Sequence, residues 1–373
     1  MKTWMKTVAM GASIAMLIGA GGCGSSRGGS AISSEASGKD PSSISVGISM
    51  PEQQLERWKK DGSNLKQILE KRGYKVVLQY ADGKVDQQTS QIQNMANQGA
   101  DIVVIASLDG VATGAAAETA KDNGATVIAY DRMIMNTDAV DYYTSFDNTK
   151  IGEMQGEYIV KKLGLDQGKK GPFNVELMSG SPDDNNAKYY FEGSWSKLGQ
   201  YFESGVLQSR SGKVPKSVDD WQTIGIQNWD RQKAQAEMEN RINSFYGDGE
   251  RLDAVLAPND ALALGTVNAV ESAGWDYYPI ITGQDAEKAN VQAIVQGRQT
   301  MSVYKDFRKL ADITAGIIDD VVAGKTPKTQ ETYPNGNKDV PSIMAVPEAV
   351  DKDNVKSLLV DSGYISAEDA GLK

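Results

Sequence analysis

Ala125-Thr-Val-Ile-Ala-Tyr-Asp131-Arg132 is an apolar, β-branched run that ends in an acid and an arginine. Its length and composition predict a buried strand of a parallel sheet. Asp131 and Arg132 then stand just past the carboxyl end of that strand, where open α/β sheets keep their ligand sites. A carboxylate accepts hydrogen bonds and a guanidinium donates them in a fixed fork, so the pair suits a ligand made of hydroxyls. Taken alone, the dipeptide equally describes an ion pair that caps a loop. The same grammar recurs on both sides of it, and that recurrence decides between the two.

Upstream, Ser45–Met50, Tyr74–Tyr80 and Asp101–Ala106 read as strands. They alternate with helical stretches at Leu55–Lys71, Val85–Gln98 and Val111–Asn123, each stopped by a glycine (Gly73, Gly99, Gly124). Downstream the pattern restarts after residue 148. Helices are expected at Ile151–Leu163, Ala187–Phe202, Arg231–Phe245, Ala261–Ala273 and Glu287–Gln296. Strands are expected at Phe173–Met178, Thr223–Gln227, Asp253–Ala257, Pro279–Thr282 and Thr300–Tyr304, and Ser204–Trp221 reads as loop plus an edge strand. This order predicts two doubly wound, parallel α/β lobes. No Pro/Gly/Ser linker separates them, and Asp141–Phe146 is itself strand-like. Ordered crossing segments therefore join the lobes, which makes a hinge over a cleft.

The 373 residues are enough for two such domains. A net charge of −10 disfavours nucleic acid as a partner. The chain has no histidine, which excludes His-based triads, His-ligated zinc and histidine general-base catalysis. The single cysteine, Cys23, excludes an intrachain disulfide. Lys2 and Lys6 precede an apolar run from Val8 to Ala20, and Ala20-Gly21-Gly22 leads into Cys23. That is a secretory signal over residues 1–22. It resembles a bacterial lipobox, in which the cysteine is lipidated and becomes the mature N-terminus. Ala20 stands where a lipobox usually has a larger aliphatic residue. The adjoining serine- and glycine-rich stretch, counted with Cys23 as residues 23–43, reads as a flexible tether.

Each expected strand runs into polar residues at its carboxyl end. Arg57 and Trp58 come after Met50, Asp109 after Ala106, Asp131 and Arg132 after Tyr130, and Asp183 to Asn186 after Met178. Trp229 and Asp230, Asn259 and Asp260, Gln284 and Asp285, and Lys305 come after the later strands in turn. Planar hydrogen-bonding groups beside flat aromatic faces are what a sugar ring requires. Trp58 and Trp229, from opposite lobes, could sandwich one ring. Competing structural readings are helix capping for Asn259 and a helix-start charge for Asp183. There is no phosphate-binding loop and no metal-ligand spacing, so no cofactor is expected.

Together the motifs resemble one family. They are Glu56-Arg57-Trp58, Ala129-Tyr-Asp-Arg-Met133, Ser145-Phe-Asp-Asn148 and Gly180-Ser-Pro-Asp-Asp-Asn-Asn-Ala-Lys188. Asn259-Asp260-Ala261, Gly283-Gln-Asp-Ala286, Thr300-Met-Ser-Val-Tyr-Lys305 and Asp339-Val-Pro-Ser342 complete the set. The chain resembles the substrate-binding lipoproteins of sugar ABC importers, in the D-xylose-binding and multiple-monosaccharide-binding group. The resemblance implies an α/β type I periplasmic-binding-protein fold with a three-segment hinge. Its N-terminal lobe would comprise 44–146 plus 306–340, and its C-terminal lobe 147–304 plus 348–373, with crossings near 144–149, 304–307 and 341–347.

The resemblance also implies a ligand site of Arg57, Trp58, Asp109, Asp131, Arg132, Asn186, Trp229, Asn259, Asp285 and Lys305. Some family members carry Asn where Asp109 stands. The implied function is capture of a monosaccharide, without catalysis, by a monomer that delivers it to a permease with a cytoplasmic ATPase. The implied location is the outer face of the cytoplasmic membrane, through lipidated Cys23, or its periplasmic side where there are two membranes. Two rival classes make different demands. A carboxylate glycosidase could use Asp131 and Asp285 at a suitable separation. A sugar-responsive repressor would need a helix-turn-helix where the signal and tether stand. A sensor that presents its closed form to a chemoreceptor is compatible with binding.

Overall fold

The computed structural model describes residues 38–247 and 249–372. The signal, Cys23 and the tether up to residue 37 lie outside the described residues. Residues expected as the end of that tether are packed against the body. The Gly38 amide donates to the Val322 carbonyl, and Asp40 caps a short 3-10 turn at Pro41–Ser43. Asp40 with Pro41 is a local turn nucleus, and it outweighs the polar composition of the segment.

The first lobe begins as a repeating β-α series. It runs β1 (Ser45–Met50), α1 (Glu56–Lys71), β2 (Lys75–Tyr80), α2 (Val85–Asn97), β3 (Ile102–Ile105), α3 (Gly114–Asp122), β4 (Thr126–Tyr130) and β5 (Tyr142–Phe146). All four residues of β3 and all five of β4 are buried, the signature of central strands covered on both faces. The second lobe holds α4 (Asn148–Leu163), β6 (Phe173–Leu177), α5 (Asn185–Glu203), β7 (Leu207–Gln208), α6 (Arg231–Phe245), β8 (Ala254–Leu256), α7 (Asp260–Ser272), β9 (Ile280–Ile281), α8 (Lys288–Gln296) and β10 (Met301–Tyr304). The chain then returns to the first lobe with α9 (Phe307–Val322), β11 (Glu331–Pro334) and β12 (Asp339–Ala345), and leaves it with β13 (Glu348–Asp351).

The first sheet has the order β11-β12-β5-β4-β3-β1-β2, parallel except for β11 on β12. The second has the order β7-β6-β8-β9 and is parallel throughout. A separate antiparallel pair joins β10 to β13. The chain therefore passes between lobes at Phe146–Asn148, Tyr304–Phe307 and Ala345–Glu348. The third passage is shorter than the 341–347 expected, because β12 stays paired with β5 through Ala345.

One expected strand is absent. Thr223–Gln227 lies at the junction of two 3-10 turns, Val218–Ile224 and Gln227–Trp229, and its only strand contact is a single bridge from Gly225 to Ser179. Ser217 and Asp220 cap each other reciprocally and start the first turn, while Trp221 and Ile224 bury its inner side. The β-branched Thr and Ile make a strand-like pattern, and the capping pair overrides it.

In the second lobe α4 and α5 approach so closely that a side chain would not fit between them. A Cβ on Gly152 would lie 2.0 Å from the Tyr190 carbonyl oxygen, and one on Gly193 2.0 Å from that of Thr149. This contact fixes α5, and with it Asn186 and Tyr190 on the side of the cleft. Gln155 of α4 also donates to the carbonyls of Pro258 and Gly283, which ties down the loops after β8 and β9.

Candidate functional site

The ends of β1, β4, β6, β8, β9 and β10 face one another across the lobes and enclose a cavity of about 270 Å³ counted to its mouth. Its wall comprises Leu55, Arg57, Trp58, Asp131 and Arg132 from the first lobe, Asp184, Tyr190, Trp229, Asn259, Gln284 and Asp285 from the second, and Lys305 from the crossing after β10.

Arg57 organises the charges. Its Nη2 lies 2.8 Å from Asp131 and 3.0 Å from Asp61, and its Nη1 lies 3.4 Å from Asp285 of the other lobe. Lys305 stands 3.0 Å from Asp285 and 3.8 Å from Asp131. Arg132 reaches across the cleft to Asp184 at 2.9 Å, and Asp184 also accepts from the indole Nε1 of Trp229. Three cations thus alternate with three carboxylates around the wall, and Asp61 adds a fourth carboxylate behind it.

These environments pull the acids apart. Burial alone would raise the Asp131 carboxyl, but Arg57, then Lys305 and Arg132, hold it down at about 2. For Asp61 and Asp184 burial prevails over Arg57 and Arg132 respectively, and both carboxyls are raised. Asp61 accepts from the Tyr130 hydroxyl as well as from Arg57.

The backbone is strained where it meets the cavity. Asp131, Asn228, Trp229, Asp285 and Ala286 all have positive φ, a region that non-glycine residues seldom occupy. At Asp131 the conformation is held from three sides. Its carbonyl accepts from the Tyr143 hydroxyl, the Ser145 hydroxyl and the Asn186 amide, and its N–H donates to Thr144. Such over-determination holds a costly conformation in place and points its carboxylate into the cleft.

Eight of the ten residues expected at the site line this cavity together. Two do not. Asp109 caps the turn that leads into α3, accepting from the Val111 and Ala112 amides. Asn186 is buried behind the wall, where it donates to the Asp131 carbonyl and accepts from Asn148. Asn259 has both roles weighed for it, as it caps α7 and lines the cavity.

Trp58 also departs from the expected sandwich. The Arg57 guanidinium lies 4.1 Å from its ring centroid and that of Arg132 5.0 Å away, so its π surface holds two cations. Leu55, Asp184, Tyr190 and Gln284 were not among the expected site residues. For Asp184 the signal was the capping position before α5, and for Tyr190 the four-residue spacing from Asn186. Among the described residues no group of three or more acids is placed to hold a metal, and no helix is long and apolar enough to cross a membrane.

At the rim of the cleft, Glu287 is raised to about 7, first by burial and then by Asp285 and by Glu56 of the facing lobe, against Arg57 and Lys60. Between the ordinary carboxyl value of 4.5 and about 7, the folded chain binds a proton that the unfolded chain does not. Stability from this group is therefore greatest at low pH and declines as pH rises through that window. Melting temperatures at about pH 5 and about pH 8 should fall less in Glu287→Gln than in the wild type. An equal fall in both would show that Glu287 is not the source.

Comparison with known proteins agrees with this geometry. A family model described as a periplasmic binding protein domain matches residues 46–326. The chain is 43% identical over 324 residues to a multiple sugar-binding periplasmic protein of Azospirillum brasilense, covering 86% of this chain and 89% of that one. It is 37% identical to the D-xylose-binding periplasmic protein of Escherichia coli, covering 86% and 91%. Among solved structures it is similar to an ABC transporter solute-binding protein of Clostridium phytofermentans with bound β-D-glucose. That match has a TM-score of 0.84 at 43% identity and covers 87% of this chain and 99% of that one.

Proposed function

Since the chain belongs to the periplasmic binding protein family, we propose that it captures a monosaccharide between its lobes and delivers it to an ABC permease. The observation that carries this reading is the wall itself. Charged side chains from both lobes converge on one cavity, each paired with an opposite charge, and each keeps hydrogen-bonding capacity for a ligand hydroxyl. Trp229 and Tyr190, set edge to face 6.1 Å apart, supply apolar surface for the C–H face of a sugar.

A sugar held in this way touches both lobes at once. It binds the closed arrangement better than an open one and shifts the population toward it. The closed form is then what a permease would recognise. No bond is broken in this cycle. A carboxylate held at about 2, as Asp131 is, is poorly suited to donate a proton. Relatives named as periplasmic support a location outside the cytoplasm.

A thermal-shift screen over pentoses, hexoses, polyols and disaccharides tests the reading. A rise in Tm with one or a few monosaccharides is expected. No rise with any of them, or release of free sugar from a disaccharide, would overturn it. We further propose that lipidated Cys23 anchors the protein. Cys23→Ser should move it from the membrane fraction to the soluble fraction of a lysed cell, and unchanged partition would refute the anchor.

A further inference from the structure

Buried side-chain polar atoms without a partner are few among the described residues, and two of them belong to the cavity wall: Trp58 Nε1 and Gln284 Oε1. Their neighbours in the wall are engaged. Asp285, directly after Gln284, meets Arg57 and Lys305, and Trp229 donates its own Nε1–H to Asp184. Gln284 is 2% exposed and Trp58 1%. The backbone of Gln284 is held by a bridge to Val303 and by the Asp260 amide, which donates to its carbonyl. Its carboxamide therefore has a fixed place on the wall.

A buried carboxamide or indole N–H left unpaired is costly, and a site that keeps such groups is one whose ligand satisfies them. The charged residues differ in this respect, because their mutual pairs persist whichever sugar is present. We propose that Gln284 and Trp58 are the specificity-determining pair of the site. Gln284 accepts a hydrogen bond from one sugar hydroxyl, and Trp58 donates to an oxygen from the opposite lobe. This rests on the monosaccharide reading above and assigns to two residues the choice of hydroxyl pattern within it. Discrimination by a group that loses its partner is steep, whereas an apolar wall separates such analogues weakly.

The test uses the best sugar from the screen and its monodeoxy analogues, titrated against wild type, Gln284→Met and Trp58→Phe. Gln284→Met keeps a flexible side chain of similar length without the amide. Trp58→Phe keeps a ring under the two guanidinium groups. Each variant should lose roughly ten- to hundred-fold in affinity for the parent sugar. Each should also become indifferent to the loss of one particular hydroxyl while keeping the wild-type penalty at the others. That single-position indifference is a signature that a structural role would not produce. If Gln284→Met does not fold, Gln284→Asn withdraws the amide by one methylene and should show the same pattern. Wild-type affinity in the variants, or a uniform loss across all analogues, overturns the inference and leaves the monosaccharide reading standing. A wild type that binds no monosaccharide overturns both.

Discussion

Arg57→Ala should cost about 3–5 kcal/mol of stability and abolish sugar binding. The guanidinium is the shared counter-ion of Asp61, Asp131 and Asp285, three carboxylates that are nearly or fully inaccessible to water. With Arg57 gone, Lys305 still faces Asp131 and Asp285, but Asp61 keeps only the Tyr130 hydroxyl. Removing one partner from a buried ionic group is far more damaging than its net contribution implies, because the charges left behind cannot be rehydrated. Binding fails for a second reason. The Arg57–Asp285 contact is one of the links between lobes, so the arrangement that a sugar would stabilise is itself weakened. Urea melts of the two proteins check the first effect, and a titration checks the second. A loss below about 1 kcal/mol would mean that the cluster is hydrated and that Arg57 acts as an ordinary surface ion pair.

Gly180→Ala should weaken sugar binding by roughly a hundred-fold, an effect of the size expected when an aromatic anchor leaves its place. A Cβ at this position would lie 2.0 Å from the Cη2 of Trp229, so the methyl group and the indole cannot both remain where they are. Moving the indole also breaks the chain from Trp229 through Asp184 to Arg132, which spans the cleft. The cause is steric, since Gly180 is not among the glycines with positive φ. Once Trp229 has been replaced by alanine, adding Gly180→Ala should change binding little further, because the two variants remove the same interaction. Full additivity would locate the damage elsewhere.

Much of this architecture was legible because local and global signals agree. Ser45–Met50 is apolar, β-branched and bounded by turns, and it forms a fully paired strand. Polar residues after such strands necessarily gather at one edge of each sheet, which is why tracing the strand ends leads to the cavity. Single positions proved harder. Asp109 and Asp184 both come after strands and both cap turns, and only the closing of the lobes brings Asp184 against Arg132. Asn186 lies one helical turn from Tyr190, yet α5 is oriented so that Tyr190 reaches the cavity while Asn186 supports the strained Asp131 backbone. Asp61 carried the readable i,i+4 spacing from Arg57, but that spacing occurs on many exposed helices and reveals nothing of burial. The strand expected at Thr223–Gln227 failed because side-chain capping between Ser217 and Asp220 competed with an ambiguous β-branched pattern.

Isothermal titration of the protein, stripped of carried-over sugar by unfolding and refolding, measures capture directly. Saturable one-to-one binding of at least one pentose or hexose, lost in Trp229→Ala, is the predicted result. A flat titration against every pentose and hexose, with protein that circular dichroism shows to be folded, would contradict capture of a monosaccharide between the lobes.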